Sequence, residues 1–547
     1  MLRTGGQILI DALRNNGAEV VFGVPGESYL AALDALHDAG NSVRYITARQ
    51  EGAAAFMAAA WSDATGKPGV CFVTRGPGVT NASIGLHTAQ QGSTPLILLI
   101  GQIKRSHRDR EAFQEIDYGR YLGSMVKWVA EVDDAARIPE YVNRAYKTAV
   151  SGRPGPVALA LPEEMLFSGT DAPDLPPVKM TPARPGTSEI AAVGELLSQA
   201  EKPLLLLGGT GWTEAGHRAA IDFVESHDLP VCVGFRRQGL FPHDHPNFIG
   251  NLGFGGKPMP NDYAREADLV IALGARLNDG TTLKFSLIEA PVPACKLVHI
   301  YPCGEELGRL YQADLPILAD PSETAMALAA LPARRQHGKS RKEARQAYLA
   351  MRALPPQKGP VDMGVVMSVL NDRLAGDTTM TTGAGNASDW PNIHYDYRQF
   401  RGALAPISGA MGMGVPAAIA AKIARPDAPA VYMGGDGDFL MTGQELATAV
   451  HYDLDPIFII VDNGMYGTIR AHQEIAYPGK VYGTELTNPD FAVVARGYGA
   501  HGERVEKTGE FAPALERAMA SGKAAVIHIL AGPEHLGPNL TLSDLRG

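Results

Sequence analysis

The chain alternates short, wholly apolar runs with longer segments in which apolar residues recur every three or four positions. Runs that are apolar on both faces predict buried strands, and the periodic segments between them, such as Glu51–Ser62 and Gly443–His451, predict helices. This alternation is typical of an α/β fold with parallel sheets, whose ligands bind at the carboxyl ends of the strands. The predicted strands are 20–24, 70–74, 96–101, 203–209, 231–235, 269–274, 296–301, 378–383, 430–435, 457–462 and 524–530.

Two proline-rich stretches interrupt the pattern, at 168–188 and 331–360. Proline clusters are typical of extended connectors between domains. The chain is also too long for one ordinary domain. We therefore expect three α/β domains, each with an open parallel sheet, at residues 1–167, 188–331 and 358–547.

Composition narrows the classes of protein that the chain can belong to. Of its 547 residues 45% are hydrophobic, and its net charge is −10, which argues against nucleic acid as a partner. No segment reaches the roughly 18 to 20 apolar residues that cross a bilayer, and the start of the chain predicts an amphipathic helix, not a signal peptide. The four cysteines form no CxxC pair, so we expect a reduced, cytoplasmic protein without membrane contact.

The most informative motif follows the strand predicted at 430–435. Gly435, Asp436, Gly437 and Asp438 come directly after it, and Asn463 follows the next predicted strand. The two glycines permit tight turns close to a ligand. We expect three oxygen ligands suited to Mg²⁺: the carboxylate of Asp436, the amide oxygen of Asn463 and a backbone carbonyl, which we assign to Met465. The alternative is a pair of ordinary glycine turns.

This motif resembles the signature of thiamine-diphosphate-dependent enzymes. The resemblance implies a pyrophosphate- and Mg²⁺-binding third domain and thiamine diphosphate as cofactor. It also implies that Met411 supports the bent cofactor from below, although a methionine in such a turn is by itself more often part of the core. The cofactor contacts that it implies in this domain are Ala384, Gly385, Asn386, Ala387, Gly409, Met411, Gly435, Gly437, Asp438, Met465, Tyr466 and Gly467.

The first domain resembles the pyrimidine-binding domain of the same family. Its glycine-rich turns supply Pro25, Gly26, Gly76 and Asn81 as implied cofactor contacts. The resemblance assigns Glu51 to the acid that protonates the aminopyrimidine ring, which leads to the nucleophilic ylide of the cofactor. Such a carboxyl must be buried among apolar neighbours. The alternative for a glutamate that opens a helix is a surface charge that interacts with the helix dipole.

In this family the two halves of the site meet across a subunit interface, so the resemblance implies at least a homodimer. Nearly the whole chain resembles acetolactate synthase large subunits. The most specific segment is EAFQEIDY, in which Gln114, beside Phe113, matches a glutamine that reaches the cofactor from the neighbouring subunit.

The helix after Asn463 departs from anabolic acetolactate synthases. Thr468 and His472 stand where those enzymes carry a methionine and a tryptophan that shape the acceptor pocket. We expect Tyr466, Thr468, Ile469 and His472 to line a more polar substrate cavity. The central domain resembles a flavin-binding domain only in part, which leaves two alternatives: bound FAD, or a domain kept for packing and assembly.

The leading hypothesis is a carboligase that decarboxylates pyruvate or a related 2-oxo acid and condenses it with a second carbonyl. A decarboxylase or a 1,2-diketone-cleaving lyase on the same scaffold is the alternative, followed by a non-catalytic homologue that only binds the cofactor. A dehydrogenase is excluded because no strand is followed by GxGxxG, and a serine hydrolase because no GxSxG is present.

Overall fold

Three six-stranded parallel sheets follow one another along the chain, which confirms the expected α/β class. The computed structural model describes residues 2–546 except 256, 257, 335, 358, 375 and 539. The expected domain limits at residues 1, 358 and 547 therefore lie outside the described residues. No helix in the described part of the chain is long and apolar enough to cross a membrane.

The first sheet has the strand order β3-β2-β4-β5-β7-β6, and the short strands β1 and β8 pair beside it. Its strands are β1 Arg3–Thr4, β2 Val20–Gly23, β3 Arg44–Thr47, β4 Gly69–Val73, β5 Leu96–Gln102, β6 Trp128–Glu131, β7 Pro156–Pro162 and β8 Gly169–Thr170. Its helices are α1 Gly5–Asn15, α2 Leu30–Ala39, α3 Glu51–Thr65, α4 Pro77–Gly92, α5 Tyr118–Leu122, α6 Ile138–Val150 and α7 Glu163–Phe167.

The central sheet has the order β11-β10-β9-β12-β13-β14, the order of many dinucleotide-binding sheets. Its strands are β9 Pro203–Leu207, β10 Val231–Val233, β11 Phe248–Asn251, β12 Leu269–Leu273, β13 Lys296–Tyr301 and β14 Leu315–Leu318. Its helices are α8 Thr187–Gln199, α9 Glu214–His227, α10 Pro258–Glu266 and α11 Pro321–Ala329, and α12 Gly338–Arg352 lies within the second proline-rich stretch.

The third sheet repeats the serial order of the first, as β16-β15-β17-β18-β20-β19. Its strands are β15 Thr379–Thr381, β16 Ala403–Leu404, β17 Ala430–Gly435, β18 Ile457–Asp462, β19 His501–Val505 and β20 Ala525–Leu530, followed by the hairpin of β21 His535–Gly537 and β22 Leu540–Thr541. Its helices are α13 Met363–Leu374, α14 Asp389–His394, α15 Gly414–Ala424, α16 Asp436–Phe439, α17 Leu446–His451, α18 Gly467–Ala476, α19 Phe491–Gly497, α20 Phe511–Ala520 and α21 Leu542–Arg546.

The first and third sheets share one hydrophobic core. Helix α3, which is rich in alanine, packs against α15, and both contribute buried side chains to the same cluster. Small side chains allow the two helices to approach closely, which joins the helix that begins at Glu51 to the third domain of the same chain.

Candidate active site

A cavity of about 250 Å³ lies at the carboxyl end of the third sheet. Strands β17 and β18 are neighbours there, so the turns that follow them face the same space. The structure brings together every predicted residue of this domain except His472. The predicted residues that line it are Ala384, Gly385, Asn386, Ala387, Gly409, Met411, Gly435, Asp436, Gly437, Asp438, Asn463, Met465, Tyr466, Gly467, Thr468 and Ile469.

The two predicted metal-binding side chains occupy adjacent strand ends. Asp436 begins α16 directly after β17 and is 1% exposed. Asn463 donates its side-chain Nδ2 to the carbonyl of His535 at 2.8 Å. That bond fixes the orientation of the amide, so its Oδ1 is the atom left to accept, and it receives the backbone N–H of Met465 at 3.2 Å.

A second carboxylate lies beside Asp436. The side-chain amide of Asn488 donates to Asp436 at 2.6 Å and to Asp462 at 2.8 Å, and the N–H of Gly464 also reaches both carboxylates. Burial, together with the neighbouring Asp462, raises the pKa of Asp436 to about 6. Burial also disfavours the Asp462 carboxylate, but hydrogen bonds from His528 and Asn488 lower its pKa overall. Two carboxylates so close together favour a nearby cation.

Asp438 is a buried support for the cavity wall. One carboxylate oxygen accepts the N–H groups of Ala384 at 2.8 Å and Gly412 at 3.0 Å, and the other accepts the hydroxyl of Tyr432 at 2.7 Å. Burial nevertheless raises its pKa. The carboxylate thus joins the turn after β15 to the turn before α15.

Thr468 is held against the turn after β15. Its hydroxyl donates to Asn386 Oδ1 at 2.8 Å and accepts the N–H of Asn386 at 3.1 Å. Gly385, directly before Asn386, has φ +101°, a conformation that favours glycine. Thr468 therefore stabilises the predicted phosphate-binding turn as well as lining the cavity.

Tyr466 also shapes the wall. A Cβ atom on Gly437 would lie 2.6 Å from the Tyr466 ring, so only glycine permits this packing.

Glu51 lies at the start of α3, half-buried, and accepts the side-chain amide of Asn81 at 2.8 Å. The side chain of Gln50 caps the helix by accepting the N–H of Ala53. The apolar residues that follow Glu51 in α3, Ala53 to Met57, are buried, but Glu51 itself is only half-buried in the single chain. Of the other residues predicted in this domain, Pro25 is exposed and Gly26 half-buried.

The segment that contains Gln114 folds over the turn at Gly76. A Cβ atom on Gly76 would lie 2.7 Å from the carbonyl oxygen of Gln114, and Gln114 itself has φ +66°. Phe113 beside it is 74% exposed, and His472 is likewise exposed on α18. Neither side chain contributes to the cavity of the single chain.

The two predicted halves of the site do not meet within one chain. The described residues that line the cavity all lie between 384 and 536, so Glu51, Gly76 and Gln114 are not among them. Sequence analysis missed Asp462, Asn488 and His535. Asp462 directly precedes Asn463 and could have been suspected, whereas Asn488 and His535 arrive from distant loops without a local signal.

Comparison with protein families gives matches in all three domains. Residues 3–120 match the thiamine pyrophosphate enzyme N-terminal TPP binding domain, 190–328 the central domain, and 383–529 the C-terminal TPP binding domain. The chain therefore belongs to the thiamine diphosphate (thiamine pyrophosphate) enzyme family.

Within this family the chain is similar to acetolactate synthase large subunits. It is 32% identical to a probable acetolactate synthase large subunit of Methanocaldococcus jannaschii, over 98% of this chain and 93% of that protein. It is 33% identical to the acetolactate synthase large subunit of Parasynechococcus marenigrum, over 92% and 83%, and 30% identical to the isozyme 2 large subunit of Escherichia coli, over 96% and 95%.

Proposed function

We propose that the chain is a thiamine-diphosphate-dependent carboligase that decarboxylates pyruvate or a related 2-oxo acid and joins the remainder to a second carbonyl compound. One observation carries the proposal most directly: Asp436, Asn463 and the turn at 384–387 line one cavity at adjacent strand ends. The similarity to acetolactate synthase large subunits over nearly the whole chain supports the carboligase over a simple lyase.

Mg²⁺ fits the oxygen donors of this cavity. We assign Asp436, the side-chain oxygen of Asn463 and the carbonyl of Met465 as its protein ligands. The paired carboxylates of Asp436 and Asp462, which share hydrogen-bond donors from Asn488, support a cation at this point. The remaining coordination positions suit the phosphate oxygens of the cofactor, which the turn at 384–387 would hold.

When bound, thiamine diphosphate supplies a carbon nucleophile and an electron sink for decarboxylation. Glu51 would supply the proton for the aminopyrimidine ring of the bound cofactor, and Asn81 orients the Glu51 carboxyl through its 2.8 Å hydrogen bond. Met411 lies in the wall of the cavity, where it would support the bound cofactor. Thr468, Ile469 and Tyr466 shape the space for the substrate.

The site is completed by a second copy of the chain. Because the described residues that line the cavity all belong to the third domain, we infer that the partner supplies Glu51, Pro25, Gly26, Gly76 and Asn81. Phe113 and Gln114 belong to the same surface, and the high exposure of Phe113 in one chain fits a residue that the second copy covers. We therefore propose a homodimer as the smallest active unit, with His472 at the mouth of the substrate pocket.

Bound FAD is the second candidate property, and the central domain gives an observation in its favour. Its strand order is that of dinucleotide-binding sheets, and a cavity of about 510 Å³ lies beside the turn Gly209–Trp212. Against this, Glu306 bridges Arg153 and Arg276 next to a crevice of only about 30 Å³. Absorbance near 450 nm decides: a stoichiometric flavin spectrum supports FAD, and colourless protein that takes up no added FAD rejects it.

We also propose a cytoplasmic location and three domains, at residues 1–167, 188–331 and 358–547. The helix α8 begins at Thr187, after a stretch at 171–186 that carries no helix or strand although each of its residues is described. All four cysteines are free, which fits a reducing compartment.

The products formed from ¹³C-pyruvate, identified by NMR, test the activity. Acetolactate in the presence of thiamine diphosphate and Mg²⁺ supports the carboligase. Acetaldehyde alone would assign the chain to the decarboxylases, and the absence of any product would require another 2-oxo acid or a 1,2-diketone as substrate. The variant Glu51→Gln serves as the control, since it removes the proposed acid and should abolish product formation while the cofactor still binds.

A further inference from the structure

The connector between β3 and α3, just before Glu51, is held by side chains from the third domain. Glu445 accepts the backbone N–H of Arg49 with both carboxylate oxygens, at 3.0 and 3.2 Å. Tyr452 accepts the N–H of Thr47 at 2.7 Å and donates to the carbonyl of Tyr45 at 3.2 Å. The stretch that joins β17 to β18, the two strands that carry Asp436 and Asn463, thus binds the backbone that leads into α3.

Glu445 is an unusual residue to find in this position. It is 0% exposed, and its described hydrogen-bond donors are backbone N–H groups and the hydroxyl of Thr448, at 2.6 Å. A buried carboxylate without a bonded cation is costly. Charge-assisted bonds from the N–H of Arg49 and the hydroxyl of Thr448 offset part of this cost. The carboxylate therefore fixes the backbone more strongly than a neutral side chain would.

The held backbone determines where Glu51 lies. Arg49 precedes Glu51 by two residues, and Gln50 between them caps α3 through Ala53. A shift of the Arg49 amide moves the first turn of α3 and the carboxyl that it carries. Catalytic groups lose about a hundredfold in rate from misplacement by 1 Å.

We infer that Glu445 is a positioning residue for Glu51. The inference rests on the proposed role of Glu51 and on the proposed dimer. Glu445 lies in the third domain, and the described residues that line the cavity of this domain all lie between 384 and 536. Glu445 thus acts on the acid that serves the cavity of the second copy, and each chain's metal-bearing domain orients a catalytic group of the other active site.

The first test compares Glu445→Gln with the wild type in two measurements. Amide hydrogen exchange of residues 47–54, without cofactor, should become faster in the variant. With thiamine diphosphate and Mg²⁺ bound, deuterium exchange at the thiazolium carbon, followed by NMR, should slow about ten- to a hundredfold, while cofactor affinity stays within about threefold. Glu306→Gln, which neutralises a half-buried glutamate of the central domain, is the control and should match the wild type in both.

The second test uses hybrid dimers, purified with two different tags. When Glu51→Gln and Glu445→Gln are on the same chain and the partner is wild type, the remaining Glu51 is held by an intact Glu445, so about half of the wild-type activity should remain. When the two changes are on different chains, the remaining Glu51 lies on the Glu445→Gln chain, and activity should fall about ten- to a hundredfold below that half.

The outcomes separate the inference from the proposed function. If Glu51→Gln leaves thiazolium exchange unchanged, the role of Glu51 fails. If Glu51→Gln abolishes the exchange but Glu445→Gln matches the wild type, the role of Glu445 alone fails. A reversed pattern in the hybrids, with high activity only when the changes are on different chains, means that Glu445 acts on its own cavity, which overturns the inference.

Discussion

Several side chains of the cavity act by holding backbone in place. Asp438 binds two amides and Tyr432, and Thr468 binds Asn386 twice. The turns that would hold the pyrophosphate are thereby fixed before any ligand arrives. This preorganisation reduces the entropic cost of cofactor binding.

Removing the hydroxyl of Thr468 tests this arrangement. In Thr468→Val the turn at Asn386 loses two hydrogen bonds, each with a net contribution of about 1 kcal/mol, so the dissociation constant for thiamine diphosphate should rise roughly five- to thirtyfold. Quenching of tryptophan fluorescence during titration measures it. Thr468→Ser keeps the hydroxyl and should bind like the wild type; equal affinity in the valine variant would contradict the role of the hydroxyl.

Buried histidines predict a loss of stability in acid. Burial lowers the pKa of His217 and of His535 to about 4, from an ordinary value of 6.5. Between these pH values the unfolded chain binds protons that the folded chain does not. The free energy of unfolding is therefore highest above pH 6.5 and falls as the pH is lowered towards 4. In that pH range each histidine lowers the free energy of unfolding by about 1.4 kcal/mol for each unit by which the pH falls.

Thermal midpoints at about pH 7.5 and about pH 5 measure this effect. In His217→Phe, which keeps the stacking against Phe400, the drop between the two pH values should be smaller. An unchanged drop would show that His217 is not among the groups responsible.

At the scale of elements, the end of the chain forms part of the site. The segment that contains His535 and Leu536 lines the cavity, and α21 packs on α18 in a small separate core. Glu474 of α18, 2% exposed, links the two helices by accepting a bond from Arg546 of α21, and it also accepts one from Arg470 within α18. The carbonyl that orients Asn463 thus depends on a short terminal element.

Leu542→Ala tests this dependence. The change opens a cavity in the small core, and such truncations cost about 2 to 5 kcal/mol. Because the core is small, α21 should detach locally, with faster amide exchange in 535–546 and weaker Mg²⁺-dependent cofactor binding. Leu349→Ala, on the exposed face of α12, is the control. Unchanged protection of 535–546 would show that α21 does not depend on this core.

The sequence predicted central strands better than edge strands. The predictions at 296–301, 430–435 and 457–462 coincide with β13, β17 and β18, because both faces of these strands are buried. The edge strands β3 and β19 escaped because their side chains are partly exposed and polar. The buried strand β7 also escaped, since prolines at both of its ends are more typical of turns.

In the candidate site, too, the sequence predicted the residues at strand ends but not those that arrive from distant loops. Asp436 and Asn463 each follow a predicted strand. Because neighbouring parallel strands end at the same edge of a sheet, the sequence predicted that the two residues lie close together. Asn488, Glu445 and His535 could not be predicted, because contacts between distant loops leave no periodic pattern in the sequence. His472 and Phe113 are exposed in the single chain, and the proposed homodimer would cover them.

At the scale of the whole molecule, the first and third sheets have the same serial strand order and share one core. That shared core joins α3, which begins at Glu51, to the third domain of its own chain, yet Glu51 is not among the described residues that line the cavity of that domain. In a dimer with a twofold axis, Glu51 of each chain can serve the cavity of the other chain. The dimer then has two equivalent composite sites, each built from both chains.

Complementation between two inactive variants tests this arrangement. Glu51→Gln and Asp436→Asn should each abolish activity alone. In a mixed dimer one composite site keeps Glu51 from one chain and Asp436 from the other, while the second site carries both changes. Random reassembly makes half of the dimers mixed, so about a quarter of the wild-type activity should return. The double variant mixed with itself is the control and should stay inactive. If a mixture of the two single variants also stays inactive after exchange of subunits, Glu51 and Asp436 serve the same site within one chain.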